Sequence, residues 1–174
     1  MHRVFASTAA ALTVAAALST SACAHADPEP VPQGPSETTA PQPDSSCTDS
    51  LAGVLTPADP KQLGNNRLLL QCKDGTWQRF AEAYPSSDRW LTTGPEMILH
   101  GQGRRNPEAA AGTWTGTPQT AEAQCGAEVV DVLGAGQTSE PETVSAEPGQ
   151  PLTVEVSDHM FTTKLSGYCL WARS

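Results

Sequence analysis

Basic residues are scarce in this chain of 174 residues: ten lysines and arginines stand against nineteen aspartates and glutamates. A surface with that balance repels a phosphate backbone, so nucleic acid is excluded as a partner. Nucleophile signatures are missing too, since neither Gly-x-Ser-x-Gly nor Ser-x-x-Lys occurs. No Cys-x-x-Cys, His-x-x-x-His or calcium-loop spacing is present, which leaves no metal or other cofactor to expect. Long apolar runs are lacking as well. The one uncharged stretch of any length, Val4 to Ala22, is rich in alanine and other small residues and is less apolar than a spanning helix of about 20 residues requires.

That stretch, preceded by Arg3, instead has the form of a signal peptide, residues 1–22. It ends in Ser19-Thr20-Ser21-Ala22-Cys23, which resembles the relaxed lipobox of bacterial lipoproteins, so that the signal segment suggests a bacterial lipoprotein or secreted envelope protein. The resemblance is confined to these five residues and implies lipidation of Cys23, which would become the new N-terminus. Ala24-His25-Ala26 offers a competing cleavage site after residue 26 that would release a secreted protein beginning at Asp27. Either way the expected location is outside the cell membrane, on its outer face through a lipid anchor or in the medium. Removal of the leader takes away Arg3 and leaves nine basic against nineteen acidic residues, a net charge of −10.

The cysteine count agrees with export. Apart from Cys23 there are four, Cys47, Cys72, Cys125 and Cys169, an even set suited to two disulfides in an oxidising compartment. Three pairings are possible. Cys47 with Cys72 and Cys125 with Cys169 is the favoured one, because each bridge then ties neighbouring elements.

Residues 23–46 form an expected disordered stalk, dense in proline, serine and threonine, with Val31 as its one sizeable apolar side chain past the lipidation site. Fully extended at about 3.1 Å per residue, its proline-rich part would reach roughly 60 Å. The globular part then spans 47–174 and reads as all-β or mostly β: a small, disulfide-braced, sandwich-like domain with one short helix. Arg67 to Cys72 and Trp77 to Phe80 flank Lys73-Asp74-Gly75-Thr76 as a hairpin. Arg89–Thr93 and Glu96–His100, separated by Gly94-Pro95, form a second expected hairpin. Asn106 to Gly112 carries a capping residue, a proline at the first helical position and a terminating glycine, hence the short helix. Leu152, Val154 and Val156 alternate with polar residues as a half-buried strand should. On the last strand Phe161, Thr163, Leu165, Cys169 and Trp171 share a face, and Cys125 shares one with Ala123, Ala127 and Val129, so both cysteines are expected to point inward.

Chemistry is thinly represented. Outside the targeting region, which runs through the competing cleavage site at Ala26, the only histidines are His100 and His159, and Asp158-His159 is the best acid–base fragment. Gly101-Gln102-Gly103-Arg104-Arg105 is a basic turn, the most plausible anion contact in an acidic protein. Trp77 and Trp90 join Arg104, Arg105, Asp158 and His159 as candidate ligand contacts if their rings reach the surface, although large rings more often fill a core. No catalytic residue is assigned. The leading expectation is therefore a lipid-anchored, non-enzymatic module that binds an envelope ligand or protein and meets the membrane only through Cys23. One alternative is an extracytoplasmic hydrolase or sugar-modifying enzyme built on Asp158, His159 and carboxylates such as Asp131 or Glu155. Another is a structural or antigenic surface protein.

Overall fold

The computed structural model describes residues 39–61, 67–101 and 106–174, all within one compact unit, Pro35–Ser174. The expected leader, Cys23 and the expected stalk as far as residue 38 lie outside the described residues, as do Arg104 and Arg105.

The domain is mostly β. The first three strands are β1 (Leu55–Pro57), β2 (Leu69–Lys73) and β3 (Thr76–Phe80). The long β4 (Arg89–His100) and then β5 (Gly112–Pro118) follow. The remainder are β6 (Gly126–Gly134), β7 (Gln137–Thr138), β8 (Glu142–Ser145), β9 (Leu152–Val156) and β10 (Met160–Arg173). They join in one mixed sheet of order β3-β2-β1-β4-β10-β5-β9, with β6 also paired to β10 and carrying β7 and β8. Among the described residues only the β1–β4 pairing is parallel.

β2 and β3 form the expected hairpin, and Asp74 and Gly75 both adopt positive φ (52° and 76°), the signature of the two-residue turn whose twist matches the flanking strands. The β9 alternation also holds, with Val156 buried and Thr153 and Glu155 exposed.

β10 is the spine of the domain. One of its edges pairs with β4 along nearly its whole length, while its other edge pairs with β6 through Ser166 and with β5 from Cys169 onward. The fork lies at Gly167, whose φ of 85° and near-contact with the Gln124 carbonyl leave no room for a side chain.

That spine explains two departures from the sequence reading. Gly94-Pro95 does not turn the chain, because the residues on both sides of it pair with the same long strand. The dipeptide falls where the register shifts between Leu165 and Gly167, so the missing N–H of Pro95 breaks no ladder bond. The bulge also changes side-chain parity, so that Trp90 and Met97 both reach the core. A second shift between Met160 and Thr162 buries Met160 to 2% exposure and leaves Phe161, expected inside, exposed.

The expected helix at Asn106–Gly112 is absent. Its backbone groups bond outside any helical pattern instead: the Glu108 N–H donates to the His100 carbonyl, the Glu108 carbonyl accepts from Ser87 N–H, and the Ala110 carbonyl accepts from the Trp114 side chain through Nε1. A helix of one or two turns is too short to compete with such anchors. The one helical turn among the described residues is a 3-10 turn, Asp49–Leu51.

A single sheet wraps around the main core, since strands toward both ends of the path contribute to the same apolar cluster. Leu69 of β2 and Val156 of β9 belong to it, together with Trp90, Trp114, Leu165 and Trp171. The indole N–H groups of those three tryptophans all find acceptors, at Ser87 O, Ala110 O and Thr92 Oγ1. The Cys125–Cys169 disulfide lies in this core, and Cys47–Cys72 pairs at the other side of the sheet; these are the favoured pairings, with Cα separations of 5.9 and 6.0 Å. Two disulfides in a domain this small suit an oxidising, extracytoplasmic setting. No helix among the described residues is long and apolar enough to cross a membrane.

Candidate functional site

Where β4 ends, its last residue His100 lies opposite Thr162 of β10, and the chain leaves the sheet to return as the irregular segment 106–111. That segment is held by Glu108. Its side chain is 6% exposed, and one carboxylate oxygen accepts from Arg67 Nη2 at 2.8 Å. The other oxygen accepts from the His100 backbone N–H at 2.9 Å and lies 2.8 Å from His100 Nδ1. Because a carboxylate can only accept, this contact is a hydrogen bond when the proton sits on Nδ1. The Arg67 side chain is 4% exposed; it also donates to the Ile98 carbonyl, and its guanidinium lies 5.7 Å from the Trp90 ring centroid. Three charged or polar side chains thus tie an irregular strip of chain to the edge of the core.

The strip forms one wall of a groove of about 270 Å³. Pro107, Ala109, Ala110, Ala111 and Met160 make its apolar lining, while Ser157 and Asp158 contribute polar groups from the turn between β9 and β10. Asp131 is drawn to the same turn, since its Oδ1 accepts from Ser157 Oγ at 2.7 Å and Ser157 Oγ in turn accepts from the His159 N–H.

The chain matches no family model, no curated protein and no solved structure.

Of the residues singled out in the sequence, Asp158 lines the groove and His159 follows it in the same turn. His159 Nε2 is 3.4 Å from Asp158 Oδ1, but their side chains are 70% and 80% exposed, so water screens the pair. Glu155 accepts from Thr113 Oγ1 on the exposed side of β9 and is not joined to that turn by any described hydrogen bond. Trp77 and Trp90 are not surface contacts: at 3% and 0% exposure their rings fill the interior on opposite faces of the sheet. The residues the sequence did not flag are Arg67, His100 as a partner of Glu108, and Glu108 itself. Arg67 and Glu108 are 41 positions apart, and no local pattern joins them.

Proposed function

We propose that this chain is an exported cell-envelope protein, anchored through a lipid on Cys23, whose domain acts as a non-enzymatic binding module through the groove between residues 107–111 and 157–160. The observation that carries the reading is the buried Arg67–Glu108 pair, to which the partly exposed His100 is joined. Burying such charges contributes little net stability, because desolvation offsets most of the attraction. What it does supply is fixed geometry for a strip of chain with no helix or ladder of its own, and a recognition surface needs that fixity. The apolar lining with Asp158 at its margin suits a ligand that presents an apolar group.

A second reading, an extracytoplasmic hydrolase, draws on the same network, since His100 and Glu108 make a carboxylate–imidazole contact at hydrogen-bond distance. The two readings separate by experiment. Titration of the isotope-labelled domain with a panel of peptide, sugar and amphiphilic ligands should shift amide resonances of Ala109–Ala111 and Ser157–Met160. Ala111→Trp, at an exposed lining position, should abolish those shifts without unfolding the domain. Absence of any shift in these segments would overturn the binding reading and leave a structural surface protein. Turnover of an ester or glycoside lost in His100→Gln with the fold intact would favour the enzyme. Anchoring is tested apart from both: Cys23→Ala should move the protein from the membrane fraction to the medium.

A further inference from the structure

Successive residues of a strand point to opposite faces of its sheet. Thus Leu55, Leu69 and Trp90 enter the main core, while their neighbours Val54, Leu70 and Leu91 enter a second buried cluster with Cys72 and Trp77. Part of the cover over this second cluster is a strap, residues 44–53, which contributes Cys47 and Leu51. The strap begins as a short extension of the sheet beyond β3: Asp44 N–H donates to Trp77 O, Trp77 N–H to Ser45 O, and Cys47 N–H to Gly75 O. It then passes through the 3-10 turn, where Arg89 reaches across to the Ser50 and Ala52 carbonyls, each at 2.6 Å. Its last residue, Gly53, donates to Cys72 O.

These fasteners are a few hydrogen bonds at an exposed margin and one covalent bond, Cys47–Cys72. The two disulfides differ in access. Cys125 and Cys169 are each 0% exposed, and Cys72 is 2% exposed, whereas Cys47 is only partly buried and is flanked by the exposed Ser46 and Thr48.

We infer that Cys47–Cys72 is a reducible clasp: an extracytoplasmic dithiol reductant can open it while Cys125–Cys169 stays closed, releasing the strap from the second cluster. A thiolate of the reductant attacks Cys47 Sγ and expels the Cys72 thiolate, giving a mixed disulfide. The second thiol of the reductant, as its thiolate, then displaces Cys47 and closes the reductant's own disulfide. Two electrons pass to the protein, and its two new thiolates take protons from solvent. Without the cross-link the strap's hydrogen bonds face water on one side and compete with its regained chain entropy. Trp77 and Leu70 lose part of their cover. The chain arriving from residue 43 is then no longer fastened covalently at Cys47.

The test uses the full chain, without denaturant. Oxidised protein is exposed to graded dithiothreitol, alkylated at intervals and analysed by peptide mass spectrometry, with amide hydrogen exchange followed in parallel. Cys47 and Cys72 should be alkylated at least about tenfold faster than Cys125 and Cys169. Exchange across residues 44–53 should rise by about tenfold or more while β4 and β10 remain protected. Loss of both disulfides together with global unfolding would overturn the clasp. So would reduction of Cys47–Cys72 that leaves exchange in 44–53 unchanged. The Cys47→Ser, Cys72→Ser double variant supplies a second reading: it should fold and show the fast-exchanging strap under oxidising conditions, and its failure to fold would overturn the inference.

Discussion

The two disulfides do different work in the same small domain. Cys125–Cys169 joins the segment leading into β6 to the C-terminal half of β10, inside a cluster that includes Trp90, Trp114 and Trp171. Cys47–Cys72 joins the strap to β2 at the margin of the smaller cluster. Chain entropy alone hardly distinguishes them: sequence separations of 44 and 25 residues correspond to about 4 and 3.5 kcal/mol. The difference lies in what surrounds the sulfurs. One bridge is a structural part of a close-packed interior, and the other fastens a flap.

Removing each bridge in turn tests that contrast with the largest effect. Cys125→Ala with Cys169→Ala leaves a void among buried rings as well as a loosened unfolded-state constraint, and should cost about 5–6 kcal/mol in urea denaturation. Cys47→Ala with Cys72→Ala should cost about 3–4 kcal/mol, close to the entropic figure alone. Equal losses would mean that the strap is packed as tightly as the core. A smaller pair of changes sharpens the point. Leu165→Ala, at 1% exposure in the main cluster, should cost about 2–5 kcal/mol. Leu51→Ala, on the half-buried strap, should cost less than about 1 kcal/mol in the same assay. A Leu51 effect as large as that of Leu165 would erase the distinction between flap and core.

The same division governs how much could be read before the structure. The β2–β3 turn, the alternation in β9 and the inward faces of Cys125 and Cys169 were all legible, because each rests on neighbours within a few residues. Gly94-Pro95 and Asn106–Gly112 were misread for a shared reason: what overrides their local preference is far away in sequence. β10 pairs with both sides of Gly94-Pro95 and keeps β4 extended. Arg67 and His100 hold the Glu108 side chain where a short helix would otherwise begin. The candidate site divides likewise. Asp158 declared itself as half of an Asp-His pair and does line the groove, while the Arg67–Glu108–His100 network that holds the opposite wall is assembled from three separate stretches of chain and left no local trace.

The smallest expected effect tests the contrast through pH. Arg173, at the end of β10, donates through Nε to Asp88 Oδ1 at 2.7 Å, next to the start of β4. That hydrogen bond, aided by the guanidinium charge and opposed by slight desolvation, holds the Asp88 carboxyl below its ordinary value of 3.8. A carboxyl whose folded-state pKa is lowered contributes stability above its ordinary value, and the contribution is lost as pH falls through the lowered one. Asp88→Asn should therefore be less stable than the parent at pH 7, by less than about 1 kcal/mol because the pair is exposed to solvent. The gap should start to close as the pH drops below 3.8 and vanish below the lowered value, where the folded parent loses the same charge. The strap has no share in this. The contacts that hold it are backbone amides, an arginine on two carbonyls and a disulfide, none of which titrates in that range. Exchange across residues 44–53, corrected for its intrinsic pH dependence, should be the same in Asp88→Asn and the parent. Loosening of the strap by this substitution would show that sheet and flap open as one unit.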